Sequence, residues 1–203
     1  MIALLDYGSG NLRSAERALA MTGQQVIVTS DFDISLNADG LVVPGVGAFG
    51  TCMAGLSGVN GGELIRKRYE MERPTLGICI GMQILFSASS ESPGVDGVAI
   101  FSDRIEKLGA PIVPHMGWNR VEAAESSQLF RDISEEQFYF VHSFAVKSAA
   151  NLTADQVKVS TTTYGESFVA AIESGSLFAT QFHPEKSGTA GLRLLDNWVK
   201  TFS

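Results

Sequence analysis

Cys79 lies at the centre of the segment Gly77-Ile78-Cys79-Ile80-Gly81, which places a glycine two residues to either side of it. A short apolar run, residues 75–78, precedes the cysteine, and a helical pattern, residues 82–88, follows it. A sharp turn from a strand into a helix strains its central residue and exposes that side chain at the carboxyl end of a sheet. The first N–H groups of such a helix favour a thiolate and can hold an oxyanion. The segment predicts a cysteine nucleophile, with a buried structural cysteine as the alternative.

A base for this nucleophile is offered by the segment His183-Pro184-Glu185. Pro184 biases His183 towards an extended conformation, in which residues i and i+2 point to the same side. Glu185 could then accept a hydrogen bond from one imidazole nitrogen while the other faces Cys79, which is the arrangement of a catalytic triad. Taken alone, the same three residues would fit a surface turn, so the triad depends on the pairing with Cys79.

The elements that must position these residues follow from the hydrophobic pattern. In the first half, apolar runs alternate with helical patterns, which predicts a mostly parallel α/β sheet with helices on both faces. The predicted strands are residues 2–6, 26–29, 41–43 and 75–78, and the predicted helices begin at residues 11, 63 and 82. In the second half, short β-rich segments near residues 112, 121, 139–141, 157–161, 168–172 and 177–182 predict added antiparallel strands. A last helix is expected over residues 192–202, and the whole chain, residues 1–203, is expected to form one domain.

Composition narrows the class of protein. The 203 residues are 45% hydrophobic and carry a net charge of -7, which disfavours nucleic acid and anionic membranes as partners. No apolar run is long enough to span a membrane, and the N-terminus lacks the basic region of a signal peptide, so a cytoplasmic location is expected. Two cysteines and three scattered histidines show no disulfide framework and no metal-ligand spacing, and we expect no metal and no cofactor. Cys52 lacks the sequence context of Cys79 and is expected to be passive.

Two longer motifs resemble a known family. The run Gly77-Ile78-Cys79-Ile80-Gly81-Met82-Gln83, together with Phe182-His183-Pro184-Glu185, resembles the class I (triad) glutamine amidotransferases over essentially the whole chain. A narrower resemblance, to the glutaminase subunits of imidazole glycerol phosphate synthase, rests on residues 6–12, residues 44–49 and above all residues 114–119, Pro-His-Met-Gly-Trp-Asn. The resemblance implies a flavodoxin-like fold and the hydrolysis of glutamine to glutamate and ammonia.

The resemblance also implies roles for individual residues. Cys79 would attack the side-chain amide of glutamine, His183 would protonate the departing ammonia and then activate water, and Glu185 would orient His183. The expected oxyanion donors are the backbone N–H groups of Ile80 and of Val46 or Gly47. The expected substrate-binding residues are Gly45, Gln83, Glu91, His142 and Ser143. For Glu91 a solvated carboxylate is the alternative, and for His142 a structural role in a packed strand.

A partner is implied in the same way, because ammonia is useful only where something consumes it. The family partner is a (β/α)8-barrel cyclase subunit, which would form a heterodimer with this chain and take the ammonia through the barrel interior. The expected interface residues are Asn11, Met116, Trp118 and Lys186, with His115 nearby. We further expect the isolated chain to be nearly inactive, because the loop of residues 45–47 could hold one oxyanion donor turned away.

Other classes of function fit the residues less well. A dinucleotide-binding protein would need a third glycine after Gly8-Ser9-Gly10, where this chain has Arg13. The alternatives within reach of a triad are a cysteine peptidase, a glutaminase subunit of another synthase, such as pyridoxal phosphate synthase, and a non-catalytic regulatory subunit. The intact triad disfavours the last, and the Gly-Met-Gln continuation disfavours the peptidase.

Overall fold

The computed structural model describes residues 1–154 and 157–203. Its strands are, in chain order, Ile2–Leu5 (β1), Val26–Thr29 (β2), Gly40–Gly45 (β3), Thr75–Cys79 (β4), Phe86–Ser89 (β5), Phe101–Lys107 (β6), His115–Arg120 (β7), Gln137–His142 (β8), Phe144–Ala145 (β9), Lys158–Tyr164 (β10), Glu166–Ser174 (β11) and Leu177–Thr180 (β12). Its α-helices are Leu12–Ala20 (α1), Phe32–Asn37 (α2), Phe49–Gly58 (α3), Gly61–Glu70 (α4), Ile80–Gln83 (α5), Ala150–Ala154 (α6) and Gly188–Val199 (α7). A 3-10 helix spans Pro184–Lys186.

A seven-stranded sheet in the order β10-β11-β12-β4-β3-β1-β2 forms the centre of the molecule. The strands from β12 to β2 pair in parallel, while β11 and β10 are added antiparallel to one side. The residues of β1, β3, β4 and β12 are buried throughout, as expected for strands covered on both faces. The predicted mostly parallel α/β class is confirmed.

Two groups of helices pack around this sheet. The first and last helices, α1 and α7, contact each other, and α4 contacts both α2 and α3. In α1 the side chain of Asn11 accepts a hydrogen bond from the N–H of Ser14, so the helix begins where the sequence predicts. In the described part of the chain, no helix is long and apolar enough to cross a membrane.

Several predicted elements were wrong. The helix expected over residues 82–88 ends at Gln83, and the chain then forms β5, which pairs with β6 in a small side sheet. The hydroxyl of Ser87 donates to the carbonyls of Ser102 and Asp103, a bond between neighbouring strands that stabilises the strand over a helix. Ile112 lies in no strand, and its side chain is 72% exposed.

The last strand and the last helix also differ from expectation. We expected the segment at 177–182 to add antiparallel to the sheet, but β12 pairs antiparallel with β11 and parallel with β4. This pairing brings the carboxyl ends of β12 and β4 to the same edge of the sheet. The helix α7 begins at Gly188, four residues before the expected start.

Candidate active site

Cys79 occupies the sharp turn between β4 and α5. Its backbone has φ 56° and ψ -109°, a conformation that is strained for a residue with a side chain. The flanking glycines permit the turn: a Cβ on Gly77 would lie 2.5 Å from the carbonyl oxygen of Gly81, and one on Gly81 would lie 1.9 Å from that of Val43. The turn is therefore packed so closely against β3 that only glycine fits on either side of the cysteine.

The helix after Cys79 is shorter than expected. Because α5 has four residues, a long helix dipole at the sulfur, as the sequence suggested, is absent from the site. The remaining electrostatic effect of α5 comes from its first turn, whose N–H groups, beginning with that of Ile80, have no acceptor within the helix. Ile80 lines the same cleft as Cys79, and free N–H groups at a helix start can bind developing negative charge.

His183 and Glu185 form a buried pair directly after β12. The Nδ1 atom of His183 lies 2.8 Å from Oε1 of Glu185, and both side chains are at most 4% exposed. His183 is extended, as expected, but the chain turns into the 3-10 helix at Pro184, and this turn brings the Glu185 carboxylate back to the ring. The backbone N–H of His183 donates to the carbonyl of Tyr139 at 2.9 Å, which fixes the backbone of His183 against β8.

The electrostatics of His183 favour its protonated form. Burial lowers the pKa of His183, but hydrogen bonding and charge from Cys79 and Glu185 outweigh it, and the net pKa is raised from its ordinary value. The Nε2 atom is buried and makes no aligned hydrogen bond within the described residues, although Cys79 is near enough to raise the pKa. The ring is thus an imidazolium beside a sulfur, held in place from its other side by a carboxylate.

The loop after β3 borders the same cleft. Gly47 has φ 92°, in the left-handed region that favours glycine. The N–H of Val46 donates to Oγ of Ser9 at 3.2 Å, and this hydroxyl donates to the carbonyl of Val46 at 2.8 Å. The Tyr7 hydroxyl donates to the carbonyl of Pro44. In this structure the Val46 N–H is therefore engaged by Ser9 and not directed at Cys79.

A cleft of about 240 Å³ opens over the sulfur. This is below the roughly 300–1,000 Å³ of sites for drug-sized ligands, and it suits a ligand the size of an amino acid. Its lining residues are Val46, Gly47, Cys79, Ile80, Gln83, Glu91, Val141, His142, Ser143, Phe144, His183 and Lys186. Of the residues expected around substrate, Gly45 is not in the lining, because a Cβ there would lie 2.7 Å from the N of Gly81. Gly45 instead packs beneath the turn at Cys79.

Glu91 reaches the cleft from the loop after β5. Its Oε2 accepts the N–H of Phe49 at 2.8 Å, at the start of α3. The side chain is half-buried, so the solvated carboxylate considered from the sequence does not describe it. Its Oε1 has no hydrogen bond within the described residues and remains available to a ligand.

His142 and His115 form a buried pair behind the cleft. Nδ1 of His142 lies 3.0 Å from the carbonyl oxygen of Phe144, and Nε2 lies 3.2 Å from Nδ1 of His115. Because a carbonyl only accepts, His142 donates through Nδ1 and accepts from His115. Burial lowers the pKa of His142 to about 3 and that of His115 to about 4. His115 is 3% exposed and packs inside the molecule next to the exposed Met116, so its expected place near an interface stays a prediction.

The four expected interface residues are at or near the surface. Met116 and Trp118 are 62% and 54% exposed on β7, and Asn11 is exposed at the start of α1. Lys186 lines the cleft beside His183.

Cys52 is buried with its Sγ 3.1 Å from Oγ of Ser9, and burial raises the pKa of this thiol. Within the described residues no group of histidine, cysteine and carboxylate side chains could hold a metal ion.

One residue of the site was missed by the sequence reasoning. Gln181 is 1% exposed, and its Nε2 lies 3.7 Å from the Cys79 sulfur. The available signal was its position two residues before His183 on an extended strand, which directs it to the same side of the sheet.

The chain is similar to known proteins over nearly its full length. A model of the glutamine amidotransferase class-I family matches residues 3–202. Imidazole glycerol phosphate synthase subunit HisH of Corynebacterium efficiens is 54% identical, with 98% of this chain and 97% of that protein covered. HisH of Thermobifida fusca is 52% identical, with 98% of each covered.

Solved structures share the fold at lower sequence identity. The crystal structure of a glutamine amidotransferase superposes with a TM-score of 0.76 at 17% identity and covers 98% of this chain and 97% of its own. The glutaminase domain of Trypanosoma brucei CTPS with bound acivicin gives 0.69 at 18% identity, with 98% and 93% covered. These two likenesses bear on the fold alone. By the match over residues 3–202 and by identity above half to its HisH relatives, the chain belongs to the class-I glutamine amidotransferase family.

Proposed function

We propose that this chain is the glutaminase subunit of an imidazole glycerol phosphate synthase. It hydrolyses glutamine to glutamate and ammonia, and the ammonia passes to a cyclase subunit that makes imidazole glycerol phosphate and an aminoimidazole carboxamide ribotide. The observation that carries the proposal is the strained Cys79 facing the buried His183–Glu185 pair in a cleft of amino-acid size. More than half of the residues are identical to HisH relatives over nearly the full length of both chains.

The chemistry follows from the three side chains. The Cys79 thiolate attacks the side-chain amide carbon of glutamine, and the electron pair of the carbonyl moves onto oxygen. His183, held protonated between Cys79 and Glu185, gives its proton to the departing nitrogen, which leaves as ammonia. The neutral imidazole then takes a proton from water as that water attacks the thioester, and the C–S bond breaks to give glutamate and restore the thiolate.

The oxyanion formed in both steps needs two donors. The N–H of Ile80, in the first turn of α5, supplies one. The second comes from the loop of Val46 and Gly47, where the Val46 N–H is engaged by Ser9. Removing one oxyanion donor costs about 10²–10³ in rate, so a turned-away Val46 peptide would leave the chain nearly inactive by itself.

The pocket residues divide the recognition of glutamine. Glu91, with Oε1 open and Oε2 fixed by Phe49, binds the substrate ammonium. Gln83 uses its nitrogen within the protein, and its buried Oε1 has no partner among the described residues, so it accepts from a substrate N–H. Ser143 lines the cleft, whereas His142 acts through the backbone it holds.

The assembly is a heterodimer with a (β/α)8-barrel cyclase in the cytoplasm. Met116 and Trp118 supply apolar contact area on β7, and Asn11 and Lys186 supply polar contacts. The chain itself serves as one glutaminase domain over residues 1–203. Binding of the partner and its nucleotide is expected to turn the Val46 peptide towards Cys79.

Labelling with 6-diazo-5-oxo-norleucine, a reactive glutamine analogue, tests this function. With the cyclase partner present, we expect one adduct, located on Cys79 by peptide mass spectrometry, and none in Cys79→Ala. A homologous molecule without the diazo group serves as the reagent control. Labelling at Cys52, or no labelling at all with the partner present, would overturn the proposal.

A further inference from the structure

Gln181 contacts the nucleophile from behind the lining of the substrate cleft, and the mechanism above leaves it without a role. It follows β12, and its backbone N–H donates to the carbonyl of Ala170 at 2.8 Å, which fixes the position of its Cα. Its side chain is 1% exposed. A buried amide of this kind requires hydrogen-bond partners for both its oxygen and its nitrogen.

The partners of this amide fix which way it points. The backbone carbonyl of Phe144 only accepts, so the Gln83 atom at 2.9 Å from it must be the nitrogen Nε2. The same Nε2 lies 2.9 Å from the Gln181 side chain, so the Gln181 atom facing it must be the oxygen Oε1. The nitrogen of Gln181 is then left facing the Cys79 sulfur at 3.7 Å.

The carbonyl that starts this chain of bonds is itself held in place. The Phe144 carbonyl also accepts from Nδ1 of His142, and Nε2 of His142 accepts from Nδ1 of His115. Both histidines are buried and neutral, since burial lowers their pKa values to about 3 and about 4. The relay therefore keeps one orientation over the ordinary pH range.

We propose that Gln181 is a further catalytic residue, which donates an N–H to the Cys79 sulfur and stabilises it as the thiolate. The proposal rests on the proposed glutaminase function. His183 faces the same sulfur, but its proton is given to the departing ammonia, whereas the amide of Gln181 keeps its hydrogens throughout. When water has attacked the thioester and the C–S bond breaks, the electron pair moves to sulfur, and Gln181 is a donor to that leaving group.

The orientation makes Gln83 a two-sided residue. Its two N–H groups are used by Phe144 and Gln181, and its Oε1 is left for substrate. Gln83 therefore has two tasks: it binds glutamine through Oε1, and it orients Gln181, the donor to the thiolate. Gln181, in contrast, does not line the cleft, so its loss should affect the nucleophile and not substrate binding.

Two substitutions at position 181 separate the loss of the N–H donor from a change in side-chain volume. Gln181→Glu keeps the shape but replaces the nitrogen with an oxygen, and Gln181→Met removes the donor with little change in volume. Thr180→Val is the matched control, because Thr180 is the preceding residue of β12, is fully buried and donates to the carbonyl of Phe182. It loses a buried hydrogen bond of the same strand away from the sulfur.

The readout is the pH dependence of Cys79 alkylation by iodoacetamide, followed on the Cys79 peptide in the full-length chain. In both Gln181 variants we expect the midpoint of the profile to move up by about one pH unit, with Gln181→Glu moved further because its carboxylate repels the thiolate. In the complex with the cyclase, kcat should fall about ten- to a hundredfold with KM changed less than about threefold. Thr180→Val should keep the wild-type profile.

The outcomes are distinct. A wild-type midpoint in Gln181→Glu would overturn the role of Gln181, and so would an equal shift in Thr180→Val, which would reveal a merely structural effect. If Gln181→Met does not fold, Gln181→Glu alone decides the matter. A wild-type complex that alkylates normally but releases no glutamate from glutamine would refute the proposed function, whatever the Gln181 variants show.

Discussion

At the scale of single residues, the protonated form of His183 depends on the two side chains packed against it. The burial of His183 would by itself disfavour the imidazolium, and only the flanking Cys79 and Glu185 reverse the direction of the pKa shift. The 2.8 Å contact between His183 and Glu185 fixes the proton-bearing side of the ring, which leaves Nε2 for the chemistry.

The substitution Glu185→Gln tests this dependence. It keeps the shape but removes the charge, so the pKa of His183 should fall towards its ordinary value. We expect kcat in the complex to drop about 10²- to 10⁴-fold. The alkaline limb of kcat/KM should move to lower pH, because the imidazolium is lost earlier as pH rises. An unchanged alkaline limb would show that Glu185 does not hold the proton on His183.

The buried neutral rings of His115 and His142 lead to a separate prediction about the free energy of unfolding. Folding lowers the pKa values of His115 and His142 to about 4 and about 3, so below about pH 6.5 the unfolded chain binds more protons. Stability should therefore fall as pH drops from about 6.5 towards 4, by up to about 2 kcal/mol for each histidine at pH 5.

Urea unfolding at pH 7.5 and pH 5.0 measures this fall. His115→Phe fills the space between Phe140 and Tyr164 without a titrating ring, so its stability should fall less between the two pH values than that of the wild type. The measurement at pH 7.5 is the control for packing changes. An equal fall in both proteins would contradict the assignment of a buried neutral His115.

At the scale of elements, the backbone at the Cys79 turn is packed so closely that positions 77 and 81 have room only for glycine. The glycine at 81 belongs to α5 and packs on the carbonyl of Val43 in β3. Gly62, in the first turns of α4, is the matched case without such contact, because a Cβ there would meet nothing nearer than 3.9 Å.

Gly81→Ala and Gly62→Ala should therefore have opposite effects. Gly81→Ala forces the turn to open, and we expect a loss of several kcal/mol of unfolding free energy together with loss of Cys79 reactivity. Gly62→Ala should be neutral or stabilise by up to about 1 kcal/mol, as expected for alanine in a helix. Thermal melts of both variants provide the measurement. A Gly81→Ala protein as stable and reactive as the wild type would mean that the turn is not close-packed.

The elements also show how far a sequence can be interpreted. The parallel strands before Cys79 are continuous apolar runs, and the triad segments have short-range patterns, so both could be predicted. The helix α3 could not, because it contains Gly50, Gly55 and Gly58, and a Cβ on Gly55 would lie 2.3 Å from the carbonyl of Tyr7. Gly55 serves a close contact with the segment just after β1, and distant contacts leave no local periodicity.

The pairing of β12 and the role of Gln181 escaped prediction for the same reason. The segment Leu177–Thr180 has the pattern of any buried strand, and only its neighbour β4 decides that it runs parallel. Gln181 acquires its orientation from Gln83 and Phe144, which are distant in the sequence. Long-range partners of this kind are decided by the packed molecule and not by spacing.

At the scale of the whole molecule, we propose that the chain combines a complete triad with an oxyanion site that lacks its second donor. The Val46 N–H is bonded to Ser9, while Met116 and Trp118 present large apolar side chains to the surface. Exposed apolar groups of this size mark sites of association. The two observations together lead us to propose that a partner both covers β7 and completes the site.

Steady-state glutamate release from glutamine tests this claim most directly, with the chain alone, with the cyclase subunit, and with the cyclase and its nucleotide. We predict almost no release by the chain alone, an increase of about 10²-fold or more in the full complex, and none from Cys79→Ala under any condition. Full activity of the isolated chain, or glutamate release by the Cys79→Ala complex, would contradict the account.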